Sequence, residues 1–265
     1  MIREGKIGES EAIALIVTVI SVKVFLSYPS LAVSSGGSAT WLVVLISCLF
    51  TSLMFWFIQK LLQRFPGLTF TEIVEQITGP FFGSFVVLLV LTLWLYMIAL
   101  NLRGFAELVI VVALPETPIS LIMIIFVITT IIISYLGIQT IARASFLAFP
   151  YLLGSVVLMI TLTYSLWRTD WLFPLLGNGV IQTLKQGIFQ SSFLFEITVI
   201  YLLPFLFYSQ QIKRIGYKSI GLVTFIFFIT VLSYTLSFPA VVGQEPFIPL
   251  YVMARSVYLG RFCKE

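Results

Sequence analysis

The stretch ALIVTVISVKVFLSYPSLAV, Ala14–Val33, is apolar over a length that suits a bilayer. Lys23 nevertheless stands inside it, among Ile20, Val22, Val24, Phe25 and Leu26, and Pro29 follows. An ammonium group at the bilayer centre costs about 2.5–3.5 kcal/mol on insertion scales. A segment that keeps such a group needs a partner for it. A segment that also carries a proline frees backbone groups, which are tolerated in lipid only where they face protein or a cavity. The stretch reads as an interrupted transmembrane helix built around a buried charge.

The rest of the chain has the same character. Of 265 residues, 60% are hydrophobic and 10% charged, with a mean hydropathy of +1.10. A soluble domain carries about 25% charged residues, and no polar block here is long enough to build one. The net charge of +4 is scattered among apolar runs instead of forming a basic stripe, so nucleic acid is not an expected partner. There is no histidine, and the two cysteines, Cys48 and Cys263, lie far apart. A metal site needs several ligands at close quarters, and no disulfide is supported. With no nucleophile–base pairing and no phosphate-cradling glycine loop, the sequence predicts neither an enzyme nor a cofactor.

A hydrocarbon core of ~30 Å needs about 20 apolar residues per helix. On that measure seven spans appear, at 11–31, 39–62, 82–112, 119–137, 144–166, 187–209 and 219–241. They predict an all-α polytopic membrane protein forming a single transmembrane domain. Arg3 and Lys6 before the first span resemble a signal peptide's start, but six further spans follow. With the N-terminus inside, the inner segments hold Arg3, Lys6, Lys60, Arg64, Arg143, Lys213, Arg214 and Lys218, whereas the outer loops between spans hold Arg168 and Lys185. The positive-inside rule therefore puts the N-terminus in the cytoplasm. Span 3 is long, about 46 Å at 1.5 Å per residue, and must tilt or protrude. After Pro239, two further prolines, Glu245 and three more cations suggest an outer loop with a short amphipathic helix over 250–261.

Four charged residues lie well within spans: Lys23, Arg103, Glu107 and Glu196. Arg103 and Glu107 are i, i+4 and share a helix face. They form either an ion pair at the outer interface, with Arg103 snorkelling, or the lining of an outer gate. Lys23 lies about 18 Å above the inner start of span 1, and Glu196 about 15 Å below the outer start of span 6. In a ~30 Å core the two depths match closely enough for a pair if the helices are neighbours. Such a pair either fixes helix packing or marks a ligand pocket, because intramembrane charges usually face a cavity or a pathway. Pro29 and Pro204 interrupt spans 1 and 6 alike, and paired interruptions point to a transporter-type site. Ser21, Tyr96, Ser191 and Ser192 are candidate ligand contacts beside Lys23 and Glu196, with Gln190 and Thr198 nearby. Each hydroxyl taken alone is better explained by a bond to its own helix.

The stretches SYPSLAVSSGGSATWL (27–42), YLGIQTIARASFLAFP (135–150), FPLLGNGVIQTLKQG (173–187), FEITVIYLLPFL (195–206) and ARSVYLGRF (254–262) carry a resemblance. In order and coverage the chain resembles the B subunit of bacterial spore germinant receptors. These form the spore permease branch of the amino acid–polyamine–organocation transporter superfamily. The resemblance implies ten helices in two inverted five-helix repeats, with residues 1–166 as the first repeat and 167–265 as an incomplete second, so that about seven transmembrane helices are present. It implies a ligand such as an amino acid between helices 1 and 6, flanked by helices 3 and 8. It also implies an A-type membrane subunit and a C-type lipoprotein as partners in the inner spore membrane.

The chain departs from the family pattern in three places. Ser21-Val22-Lys23-Val24 stands where relatives often have glycines, so Lys23 would supply positive charge in place of backbone amides. Phe146 stands where relatives often carry an acidic residue, and the chain ends before helix 8. Three functions follow as alternatives: a germinant-sensing subunit, an amino acid permease of the same fold, or a truncated fragment without activity of its own. The missing wall of the pocket favours the expectation that this form neither transports nor signals alone.

Overall fold

Span 1 is built in two pieces. Helix α1 (Glu9–Phe25) places Glu9 and Glu11 in its first turn, where carboxylates complement the helix dipole. It ends at Leu26, whose φ, ψ of −89°, −136° leave the helical region. Helix α2 (Tyr28–Gly36) restarts with Pro29 in its first turn, where the missing N–H is one that no helix satisfies anyway. Gly37, at φ 58°, turns the chain. A 3-10 turn then leads into α3 (Thr40–Arg64), which packs against α2.

The remaining helices are α4 (Phe70–Thr78), α5 (Pro80–Val112), α6 (Ile119–Tyr135), α7 (Ile138–Thr163), α8 (Val180–Gln190), α9 (Ser209–Ser237), α10 (Ala240–Gly243) and α11 (Pro249–Arg255). The computed structural model describes residues 7–177, 179–202, 209–243 and 248–256. Among the described residues there is no strand, and the protein is an all-α polytopic membrane protein.

Spans 2, 3, 4, 5 and 7 correspond to α3, α5, α6, α7 and α9. Span 6 is split like span 1. Helix α8 ends at Gln190 and passes into a 3-10 segment, Ser191–Leu202. Such runs rarely exceed 3–4 residues and often mark a hinge; this one has 12. Pro204, the expected interruption of span 6, lies outside the described residues, as do Arg3, Lys6 and the end of the helix expected over 250–261. Four described helical segments are long and apolar enough to cross a membrane: Tyr28–Arg64, Pro80–Val112, Ile138–Leu166 and Gln211–Ser237. Ile119–Tyr135 is a shorter apolar helix. Span 1 misses that length because it is cut at Leu26, and the described part of span 6 is mostly the 3-10 segment.

Helices α1, α3 and α9 form the centre, with α7 against α1 and α8 against α3. Ile16, Ile20, Phe55, Phe227 and Tyr234 are buried there. Close approach depends on two glycines. A Cβ at Gly187 would stand 2.4 Å from Cγ2 of Ile46, and one at Gly216 would stand 2.0 Å from Cζ of Phe55. By contrast, α5 buries only Gly83 and Ala106 among its residues. Its 33 residues span about 50 Å, and most of its apolar side chains face outward.

Helix α4 lies between spans 2 and 3 and is held by a capping box. Glu72 N–H donates to Thr69 Oγ1 at 3.0 Å, and Thr69 N–H donates to Glu72 Oε2 at 2.7 Å. These bonds, first the backbone one, hold the Glu72 carboxyl below its ordinary value. A depressed folded-state value means that the support is present above the unfolded value and is lost as pH falls through the folded one. Acidification, or Thr69→Ala at neutral pH, is therefore expected to lower the amide protection factors, exchange relative to the intrinsic rate at the same pH, across residues 70–78 severalfold. Equal exchange in wild type and T69A at neutral pH would contradict it.

Candidate functional site

The two interruptions meet through one ion pair. Lys23 sits in the last turn of α1, where a cation complements the helix dipole. Its Nζ lies 2.5 Å from Glu196 Oε2 on the 3-10 segment, and it also donates to the Phe193 carbonyl at 2.5 Å. The Phe193 ring adds a cation–π contact, with its centroid 5.9 Å away. The side chains of Lys23 and Glu196 are only 8% and 13% exposed. A lysine has three donors, and these contacts engage two. The other carboxylate oxygen, Glu196 Oε1, is buried without a hydrogen-bond partner, as is Ser21 Oγ. An unpaired polar atom in low dielectric is costly, so Glu196 is the costly member of the pair to keep buried.

Beside the pair lies a cavity of about 420 Å3. The break in span 1 contributes Leu26, Ser27, Tyr28 and Leu31, and the 3-10 segment contributes Ser192 and Phe193. Helix α5 contributes Met97, Leu100, Asn101, Arg103 and Gly104, and Ile248 completes the wall. Small-molecule sites occupy roughly 300–1,000 Å3 and are mostly apolar with a few placed polar groups. Lys23 lines this cavity, so the same ammonium belongs to the buried pair and to the cavity wall.

The candidate residues read from the sequence fall into two groups. Lys23, Ser192 and Arg103 line the cavity. Glu196 reaches it only through Lys23, and Ser21 is fully buried behind it. Ser191 Oγ donates to the Ile188 carbonyl at 2.6 Å, and Ser192 Oγ to the Phe189 carbonyl at 2.8 Å. Both hydroxyls are thus bonded to their own helical turn. Arg103 Nε meets Glu107 Oε1 at 2.9 Å, with the side chains 70% and 26% exposed; Glu107 is outside the lining.

Tyr96 is 59% exposed and outside the lining. It is one position, about 100° of rotation, from Met97, which begins the cavity-facing stripe Met97, Leu100, Asn101, Gly104. That i, i+3, i+4, i+7 stripe is the feature the sequence reading missed. A lone asparagine and a glycine four and seven positions along was the signal for it. Gln190 also proved more than a small polar residue. Its Nε2 donates to the Leu31 carbonyl at 3.4 Å and to Ser35 Oγ, tying α8 to α2 across the site. At the far end of α1, Glu11 faces Arg143 at 3.8 Å and Glu9 faces Arg214 at 3.7 Å, joining α7 and α9 to the start of span 1.

The fold defines an all-α polytopic membrane protein in which two interrupted segments flank a cavity. Residues 6–263 match the model of the spore germination protein (spore permease) family, and the chain belongs to that family. It is 26% identical over 203 residues to spore germination protein KB of Bacillus subtilis (strain 168), covering 75% of this chain and 54% of the relative. It is 24% identical over 211 residues to spore germination protein B2 of the same organism, covering 78% of this chain and 56% of the relative. The chain thus spans about half the length of the curated relatives it matches. No solved structure gives a significant match.

Proposed function

We propose that the chain is a membrane subunit of a spore germinant receptor that binds a small nutrient, such as an amino acid, between spans 1 and 6 and so triggers germination. The observation that carries this reading is the double role of Lys23, pair member and cavity wall. A ligand carboxylate entering the cavity competes with Glu196 for the ammonium. An amino acid can then offer its own ammonium to the released Glu196. Because the pair joins the two interrupted segments, its exchange for ligand contacts loosens one from the other. The shift is as large as the ligand's difference in affinity for the closed and opened arrangements. On this reading the chain contributes to a larger receptor with an A-type membrane subunit and a C-type lipoprotein in the inner spore membrane, and performs no catalytic step.

The test uses a single cysteine at the break, Ser27→Cys, with Cys48 and Cys263 replaced by alanine. In proteoliposomes, an amino acid mixture is expected to slow maleimide labelling of position 27. Labelling equally fast with and without the mixture would remove the ligand from this cavity. Paired interruptions also favour a second reading, an amino acid permease of the same fold. Uptake of tritiated amino acids into the same proteoliposomes supports transport, and binding without uptake supports sensing.

The orientation proposed from loop charge has its own measurement. A cysteine at Ser10, in the first turn of α1, is expected to label only after permeabilisation. Labelling of that cysteine from outside intact cells would invert the topology.

A further inference from the structure

The cavity wall carries more selectivity than the reading above requires. Two cations, Lys23 and Arg103, line it, and no carboxylate does so among the described residues. Glu196 and Glu107 each meet their cation from outside the lining. The wall therefore presents positive charge to an occupant. Of the uncharged polar side chains, Ser192 already donates to a backbone carbonyl, while Ser27 and Asn101 stand on the break and α5 sides of the wall. Most of the remaining surface comes from Leu26, Leu31, Met97, Leu100, Phe193 and Ile248.

Gly104 adds a gauge of size. It lies within α5, where glycine weakens a helix, and its backbone is not pressed by another. A Cβ there would meet Leu26 Cδ1 at 3.6 Å, an ordinary contact. Close helix packing does not demand this glycine, in contrast to Gly187 and Gly216. What it supplies is space on the cavity side of α5.

Resting on the reading that this cavity holds the germinant, we infer that it takes a carboxylate-bearing molecule with an apolar side chain larger than methyl. The carboxylate meets Lys23, and the side chain lies against Leu26 and Leu100 in the space left by Gly104. An amine lacking the carboxylate meets two cations.

The test is competition for tritiated L-leucine on the full chain in lipid nanodiscs, with L-alanine and 3-methylbutylamine as competitors. Leucine is expected to compete at least about tenfold better than each, since a single methylene in an apolar pocket is worth 10–200-fold. Gly104→Ala and Gly104→Leu, checked for unaltered thermal unfolding, are expected to erode the leucine-over-alanine preference stepwise, the latter by about tenfold. Lys23→Met combined with Glu196→Gln is expected to remove leucine binding. If it does, but a competitor equals leucine or both Gly104 variants keep the preference, the size and charge selectivity is overturned and the cavity reading stands. Leucine binding that survives that double substitution and both Gly104 variants, or no binding of any compound to folded protein, overturns both.

Discussion

Lys23→Met alone is expected to destabilise the protein by about 3–5 kcal/mol, the loss that follows when one member of a buried pair is removed. The physical reason is the charge left behind. Glu196 would keep a carboxylate that is 13% exposed and whose Oε1 already lacks a partner. Glu196→Gln should cost less, because the amide oxygen can still accept from Lys23 and the Phe193 carbonyl remains at 2.5 Å. The double variant leaves no unpaired charge and should recover most of the yield, since replacing both members of a buried pair is often close to neutral. It should not recover ligand binding, because the ammonium that faces the cavity is gone. Membrane-inserted yield and tritiated amino acid binding, measured as a double-mutant cycle, separate the two consequences. Additive losses of yield would mean that the charges are not coupled, and full binding by the double variant would reduce the pair to a packing device.

This pair was legible in the sequence because depth is arithmetic. Charges are so rare in the spans that Lys23 and Glu196, counted inward from opposite ends of spans 1 and 6, had few other partners. The interruption of span 1 was legible for a similar reason, since Pro29 follows a polar pair of residues in an otherwise apolar run. The extent of the second interruption was not. SSFLFEITVIYL has the hydropathy of a helix, and nothing in side-chain pattern distinguishes i→i+3 from i→i+4 bonding over Ser191–Leu202. Tyr96 was chosen for its phenol and its place near the middle of span 3. The cavity is set by rotation about α5, and an almost wholly apolar span gives no amphipathic signal to fix that rotation. The one available clue was the spacing of Asn101 and Gly104. Helix α4 was missed although Thr69 and Glu72 stand three apart before Ile73, because nine residues are too few to register as a span.

The breaks at α1–α2 and at the 3-10 segment matter only if something beside them holds still. Helices α3 and α9 supply that body. They pack on each other, α9 also packs on α1 and α3 on α2, and Tyr28, the first residue after the break, sets its ring 4.7 Å from that of Phe227 on α9. On the proposed reading, exchange of the Lys23 contact moves the ends of the interrupted segments without displacing the frame. A substitution that separates α3 from α9 should accordingly weaken folding and binding together, in contrast to the double change at the pair.

Gly216→Ala is such a substitution and is expected to destabilise the protein at the upper end of the ~1–3 kcal/mol range for overpacking. Small residues at membrane helix crossings let backbones approach closely, and here the approach leaves no room for a methyl group. The added Cβ would stand 2.0 Å from Phe55 Cζ and 2.5 and 2.6 Å from its Cε1 and Cε2. The ring has no exposed side to swing toward: Phe55 is fully buried and packs edge-on to Tyr217 with centroids 5.0 Å apart. Relief must come from α3 moving off α9. Phe55→Ala alone should cost about 3–5 kcal/mol through the cavity it leaves. Combined, the new methyl group occupies part of the space that the ring vacates, so the double variant should be more stable than the sum of the singles by about 1–3 kcal/mol, within the range for residues in contact. Gly221→Ala is the internal control on the same helix. Nothing lies within 4 Å of its added Cβ, so it should be neutral or gain slightly from helix propensity. Thermal unfolding in detergent micelles reads all four variants. A Gly216→Ala protein that melts with Gly221→Ala, or a double variant at the plain sum of its parents, would show that the α3–α9 crossing is looser than its geometry requires.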